Sequence, residues 1–308
     1  MQRYLAEEIA TDHVDGLLSR REALRRLALI GVGATAATSL IAACGSGAQP
    51  ANSPSTTKSP SATGGPAATG AQPGPPPGSA QAVATAPVTW TGPRSELQGA
   101  WASAPSPKGA VLVVHENKGL TDWVRSVAGR FAGIGYSALA IDLLSAEGGT
   151  AKFSDPAEAT AALSKISSAD FVADMKSGLD ELQHRAPAVK IAAVGFCMGG
   201  GLVWQLLAAG EPRLAVAVPF YGPLPAGADF GGSKQAAVLG FYGSEDARVT
   251  GTKAAAQQAL DKAGLVNQLV VEQGANHAFF NDTGDRYDAT AAADAWQRTQ
   301  DWFTKYLG

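Results

Sequence analysis

From residue 87 onward, short and largely apolar runs alternate with longer stretches in which apolar residues recur every three or four positions. The runs occupy residues 110–114, 136–141, 191–194, 214–218, 236–241 and 268–271. Continuous apolarity over four to six residues suits a strand buried on both faces. The longer stretches predict helices over 121–134, 170–185, 202–209, 252–263 and 289–307. In the first of them Trp123, Val124, Val127 and Phe131 fall on one side. Residues 88–90 and 97–102 predict two short strands joined by a Gly-Pro turn. Buried strands alternating with helices imply a mostly parallel sheet with helices on both faces, an α/β fold in one domain. In such a sheet the functional side chains stand outside the carboxyl ends of the strands.

The first 86 residues follow a different pattern. Ser19-Arg20-Arg21-Glu22-Ala23-Leu24-Arg25 resembles a twin-arginine export signal, departing at Ala23 where phenylalanine is more usual. Residues 27–43 are rich in Ala, Gly and Leu but fall short of a comfortable membrane span. They end in Leu40-Ile41-Ala42-Ala43-Cys44, which resembles a bacterial lipobox. The expectation is a leader over 1–44, standing apart from the fold, with the Cys44 thiol taking a lipid that anchors the chain to the outer face of the membrane. An uncleaved N-terminal anchor helix is the alternative. Residues 45–86 are dominated by Pro, Ser, Ala, Gly, Thr and Gln, a composition too poor in apolar surface to offset ordering, and they are expected to form a tether. The folded domain is then 87–308.

Composition narrows the function. A formal net charge of −3 gives no support for nucleic-acid binding. The two cysteines, Cys44 and Cys197, sit in unlike contexts, so no disulfide framework is implied. No Cys/His spacing suits a zinc site, and nothing calls for an organic cofactor.

The chemistry gathers at the ends of the predicted strands. The stretch Gly195-Phe196-Cys197-Met198-Gly199-Gly200-Gly201 has the form of a nucleophile elbow, G-x-S-x-G, with cysteine in place of serine. Taken alone it fits a buried structural cysteine equally well. His115-Glu116-Asn117 follows the first buried run, Asp142 the second, Gly243-Ser244-Glu245-Asp246 the fifth and Asn276-His277 the sixth. The chain order Cys197, Asp246, His277 is nucleophile, acid, histidine, the order of the α/β-hydrolase fold. Glu245 competes with Asp246 for the acid. Asp142 and His115 suit structural roles, and His184 suits a solvated helix end. Trp123 and Tyr221 are candidates for the pocket wall or for the core.

The segments VVHENKGL (113–120), GYSALAIDLL (135–144), GFCMGGG (195–201), GSEDARV (243–249) and ANHAFFND (275–282) together resemble the dienelactone hydrolase (carboxymethylenebutenolidase-like) family. The resemblance runs from about residue 88 to the end. It implies an α/β-hydrolase fold and a Cys197–Asp246–His277 triad that cleaves a small ester or lactone. It also implies an oxyanion hole from the backbone N–H groups of Asn117 and Met198, and a Glu116 carboxylate beside the resting thiol, unless Glu116 is structural. The family's two carboxylate-binding arginines have no counterpart: Asn281 holds one position, and between Asp142 and Asp170 only Lys152 and Lys165 are cationic. An ester or lactone other than the dienelactone is therefore expected. A binding-only lipoprotein on the same fold is the competing class, and a thiol redox role lacks a resolving cysteine.

Overall fold

The computed structural model describes residues 1–45 and 74–308. Three helices open the chain: α1 (Gln2–Val14), α2 (Arg20–Leu29) and α3 (Ala34–Gly45). Ser19 caps α2 by accepting from the Glu22 N–H, and Gly31, at φ 82°, lies in the break between α2 and α3. No helix among the described residues is long and apolar enough to cross a membrane.

The body is an eight-stranded sheet in the order β1-β2-β4-β3-β5-β6-β7-β8. β1 (Ala86–Thr91) and β2 (Glu96–Ala102) form the expected antiparallel hairpin, and β2 runs antiparallel to β4. The others are parallel: β3 (Gly109–Val114), β4 (Tyr136–Asp142), β5 (Ile191–Phe196), β6 (Leu214–Phe220), β7 (Ala237–Gly243) and β8 (Asn267–Glu272). Every residue of β3, β4, β5 and β7 is buried, as their unbroken apolar runs predict.

Seven more α-helices follow among the described residues: α4 (Asp122–Gly133), α5 (Pro156–Ser164), α6 (Ser168–Arg185), α7 (Met198–Ala208), α8 (Ala247–Thr250), α9 (Lys253–Ala263) and α10 (Ala289–Tyr306). α4 and α10 meet through Phe131 and Trp296, ring centroids 5.0 Å apart. α6 and α7 pack on one another and on the central strands β3 and β5. This is the α/β-hydrolase arrangement.

Two expectations about the first 86 residues change. Residues 1–45 do not stand apart. Leu5, Ile9, Leu27, Ile30 and Ile41 are buried in the same apolar cluster as the body, each side chain contributing about 1.5–3 kcal/mol if fully withdrawn from water. Arg25 adds an ion pair to Asp155, at the start of α5. The tether expected over 45–86 lies outside the described residues from 46 to 73. Beyond it the chain joins the body before residue 86: the Val83 N–H donates to the Gly129 carbonyl at 3.0 Å, and Arg130 reaches the Pro77 carbonyl.

Candidate active site

The strand-to-helix turn after β5 is imposed by its small residues. Cys197 occupies φ 55°, ψ −118°, a conformation that costs a non-glycine residue about 1–3 kcal/mol. The tight turn brings Gly195 so close to α7 that a Cβ there would lie 2.1 Å from the Gly199 carbonyl oxygen. A Cβ on Gly199 would lie 2.4 Å from the Val114 carbonyl oxygen and 2.5 Å from that of His115. Only glycine fits at either position. The Cys197 N–H is tied to the Phe220 carbonyl at 3.1 Å, and α7 begins at the next residue, Met198. The thiol thus sits at a helix N-terminus, whose first N–H groups have no partner within the helix.

The loops after β7 and β8 carry the next two residues. Asp246 caps α8, its Oδ1 accepting from the Val249 N–H at 3.2 Å. Its Oδ2 lies 2.6 Å from His277 Nδ1. Both are almost fully buried, whereas Glu245 faces solvent, so geometry selects Asp246 over its neighbour. Burial opposes the charge on Asp246, but the His277 hydrogen bond and positive charge hold its carboxyl below the usual range. For His277 burial favours the neutral ring, and Asp246 with a second carboxylate, Glu8, outweighs it and raises the imidazole. His277 Nε2 is buried without a hydrogen-bond partner among the described residues. A ring nitrogen of His277 lies within 4.8 Å of Cys197 Sγ.

Around this core the other sequence candidates separate. Asp142 accepts from the N–H groups of Leu144 and Thr150 and from Thr150 Oγ1, and so braces the loop after β4. His115 bridges the Glu116 carbonyl and the Leu143 N–H, and burial lowers its pKa. His184 is exposed in the last turn of α6. Trp123 donates to Asp282 at 2.8 Å and packs edge-on against Phe196. It also lines a shallow recess shared with Glu116 and Asn281. Tyr221 is fully buried, its ring 5.2 Å from that of His277 and its hydroxyl 3.4 Å from Glu116.

Glu116 is not the thiol's hydrogen-bond partner. Its carboxylate accepts from Asn281 Nδ2 at 2.8 Å, and burial raises its pKa. Asn281, standing where the family places an arginine, therefore orients a carboxylate of the protein itself. The thiol's partner is Glu8 of α1: Sγ lies 3.1 Å from Oε1 and 3.3 Å from Oε2. A sulfur and a carboxylate so close exclude one another's charge. Burial first, then the Glu8 and Glu116 charges, push the thiol pKa well above its ordinary value. For Glu8 burial resists ionisation, but His277, Arg248 and the thiol hydrogen bond together lower its pKa.

Four participants escaped the sequence reading: Tyr4, Glu8, Arg248 and Arg286. The Tyr4 hydroxyl is 3.3 Å from Sγ, and its ring lies under the Arg248 guanidinium at 4.7 Å. Arg248 Nη2 is 4.0 Å from Glu8 Oε2, while its Nε and Nη1 are buried without hydrogen-bond partners among the described residues. Arg286 binds Asp12 at 2.8 Å and Asp15 at 2.6 Å. The useful signal was the four-residue spacing of Tyr4, Glu8 and Asp12, which puts them on one helix face. A cavity of about 300 Å³ remains beside them, lined by Glu8, Asp12, Glu116, Cys197, His277 and Arg286 among others. The donor atoms of Glu8, Cys197 and His277 lie within 4.8 Å of one another, close enough for a metal, but the adjacent Arg248 charge opposes a second cation there.

The family model described as dienelactone hydrolase matches residues 97–307. A protein from Escherichia coli strain K12 named as a carboxymethylenebutenolidase is 32% identical over 214 residues, covering 66% of this chain and 79% of its own length. Among solved structures, one titled as a dienelactone hydrolase from Klebsiella pneumoniae is 30% identical with a TM-score of 0.64, covering 72% of this chain and 98% of that one. A dienelactone hydrolase-like promiscuous phosphotriesterase from metagenomic libraries is 28% identical with a TM-score of 0.65, covering 74% of this chain and all of the other. The family match begins at β2, and strand order and sequence agree on one conclusion: this chain belongs to the dienelactone hydrolase family.

Proposed function

We propose that this hydrolase works through Cys197 and cleaves a small ester or lactone by way of a thioester. The observation that carries the reading is the relay of positions at the strand ends. Asp246 holds His277 Nδ1 at 2.6 Å, Nε2 has no hydrogen-bond partner among the described residues, and the His277 ring comes within 4.8 Å of a thiol on a strained elbow. His277 would take the thiol proton as Sγ adds to the substrate carbonyl, and Asp246 would stabilise the imidazolium. The N–H groups of Met198 and Asn117 would receive the oxyanion. Collapse would expel the alkoxide, protonated by His277, and leave an acyl group on Sγ. His277 would then deprotonate water for attack on the thioester, returning the acid and the free thiol.

The test is hydrolysis of a panel of aryl esters and enol lactones under reducing conditions. The whole chain is assayed, and then the chain cut at a protease site placed within residues 46–73. Turnover in either form that falls by about 10³-fold or more in Cys197→Ala supports the reading. Turnover that survives the substitution assigns another nucleophile, and none in either form favours the binding-only alternative.

Export and lipidation belong to the same proposal. The Arg20-Arg21 pair and the residues before Cys44 support an exported precursor cut ahead of Cys44 and held at the outer membrane face by lipid on that thiol. Cys44→Ala should then stay unprocessed and lose lipid label; unchanged labelling would reject it.

A further inference from the structure

One helix engages the thiol and the histidine that the proposed chemistry needs free, and reaches the Asn117 side chain beside them. Tyr4 and Glu8 both contact Cys197 Sγ, at 3.3 Å and 3.1 Å. Glu8 Oε1 lies 3.8 Å from His277 Nε2, the atom that would take the thiol proton. The same oxygen accepts from Asn117 Nδ2 at 3.1 Å, on the loop assigned to the oxyanion. A reacting carbonyl carbon must come within about 3–3.5 Å of the nucleophile, and the Glu8 carboxylate fills that shell. Its charge also keeps the proton on sulfur. The occlusion is thus steric and electrostatic at once.

The contact is not incidental to one side chain. Leu5 and Ile9, on the same helix, are buried in the core cluster. Asp12 and Asp15 secure the far end of α1 and the residue after it through Arg286. Arg248 holds the near end through the Tyr4 ring and Glu8. A buried carboxylate is costly unless paired. Glu8, only 6% exposed, finds hydrogen-bond partners on the body in the Cys197 thiol and the Asn117 amide.

We propose that α1 is a built-in inhibitor of this site: the docked helix holds the hydrolase closed, and its withdrawal uncovers the thiol. The proposal rests on the cysteine-hydrolase reading above for its consequence, but not for its physical content. Cleavage ahead of Cys44 would separate α1 from the body, so leader removal and activation would be one event.

The experiment uses the whole chain in a Cys44→Ala background, so that Cys197 is the only thiol. The rate of Cys197 alkylation by iodoacetamide at neutral pH and the rate of ester hydrolysis are measured side by side. Leu5→Asp is introduced to undock α1. Glu8→Gln keeps the helix and its volume but removes the charge. Expected is an alkylation rate at least about tenfold higher in Leu5→Asp and a smaller rise in Glu8→Gln, with hydrolysis rising in parallel. Alkylation equally fast in the parent and both variants overturns the inhibitor. Alkylation that rises while no ester is cleaved supports the cover over the thiol and rejects the hydrolase reading instead. Hydrolysis by the parent as fast as by both variants keeps the hydrolase and rejects the inhibitor.

Discussion

The elbow and the first helix both put side chains within reach of one sulfur, and they get there by opposite means. The elbow is determined within the sheet. Gly195 and Gly199 press against backbone oxygens of the turn and of the end of β3, the Cys197 N–H is held by the Phe220 carbonyl, and the strands themselves present the thiol. The first helix is determined from afar. Nothing within residues 2–14 specifies where Glu8 must go, and its place comes from apolar burial and from Arg248 and Arg286, more than 230 positions away. A site built the first way is permanent, whereas one occupied the second way is conditional on docking.

The sharpest way to break this contrast is Gly199→Val. Side-chain atoms forced against the Val114 and His115 carbonyls should cost about 3 kcal/mol or more of whole-body stability, read as a lower denaturant midpoint. Leu5→Ala is the matching change on the other side. It should remove about 2–4 kcal/mol, and from the docking of α1 alone. Amide exchange in α1 should accelerate while β5 keeps its protection. If both regions lost protection together, the helix would belong to the body's cooperative unit and the distinction would fail.

The smallest effect concerns a carboxyl that serves neither region. Burial first, with the nearby charge of Asp294, raises Glu272 to about 7. The folded state therefore holds a proton there that the unfolded chain releases above its ordinary carboxyl range. That contribution is intact at acidic pH and is lost as pH rises through about 7. Glu272→Gln should melt close to the parent at acidic pH. Above neutrality it should be more stable by on the order of 1 kcal/mol, after allowance for solvent screening. A gap that does not widen with pH would remove the argument, and equal shifts in exchange at α1 and β5 would mark it as a body-wide effect.

The same contrast explains what the sequence made legible. Strands β3 to β7 carry their burial in unbroken apolar runs, so their order and the residues at their carboxyl ends could be read directly. Cys197 and Asp246 follow such runs, His277 follows the half-buried β8, and the structure brings the three together. Helix α5 was missed because its alanines and threonine carry no marked apolar stripe, although Asp155 and Pro156 announce its start. Tyr4, Glu8 and Asp12 were missed for a deeper reason. A helix with charged residues every four positions looks solvated until its partners are known, and those partners lie on distant loops. Glu116, placed beside the thiol by resemblance, makes its hydrogen bonds with Asn281 and Tyr221, while its charge still acts on Cys197.

The contact between Glu8 and Cys197 spans 189 residues of chain. Closing so long a loop is entropically slow, and such contacts form late in folding. During synthesis the order is starker still, because α1 leaves the ribosome before β5, α8 and the loop holding Arg286, and its docking waits for them. A helix made before its partners is seated only after them. If α1 is the cover proposed above, a newly made molecule whose sheet closes before α1 docks carries an open thiol for that interval.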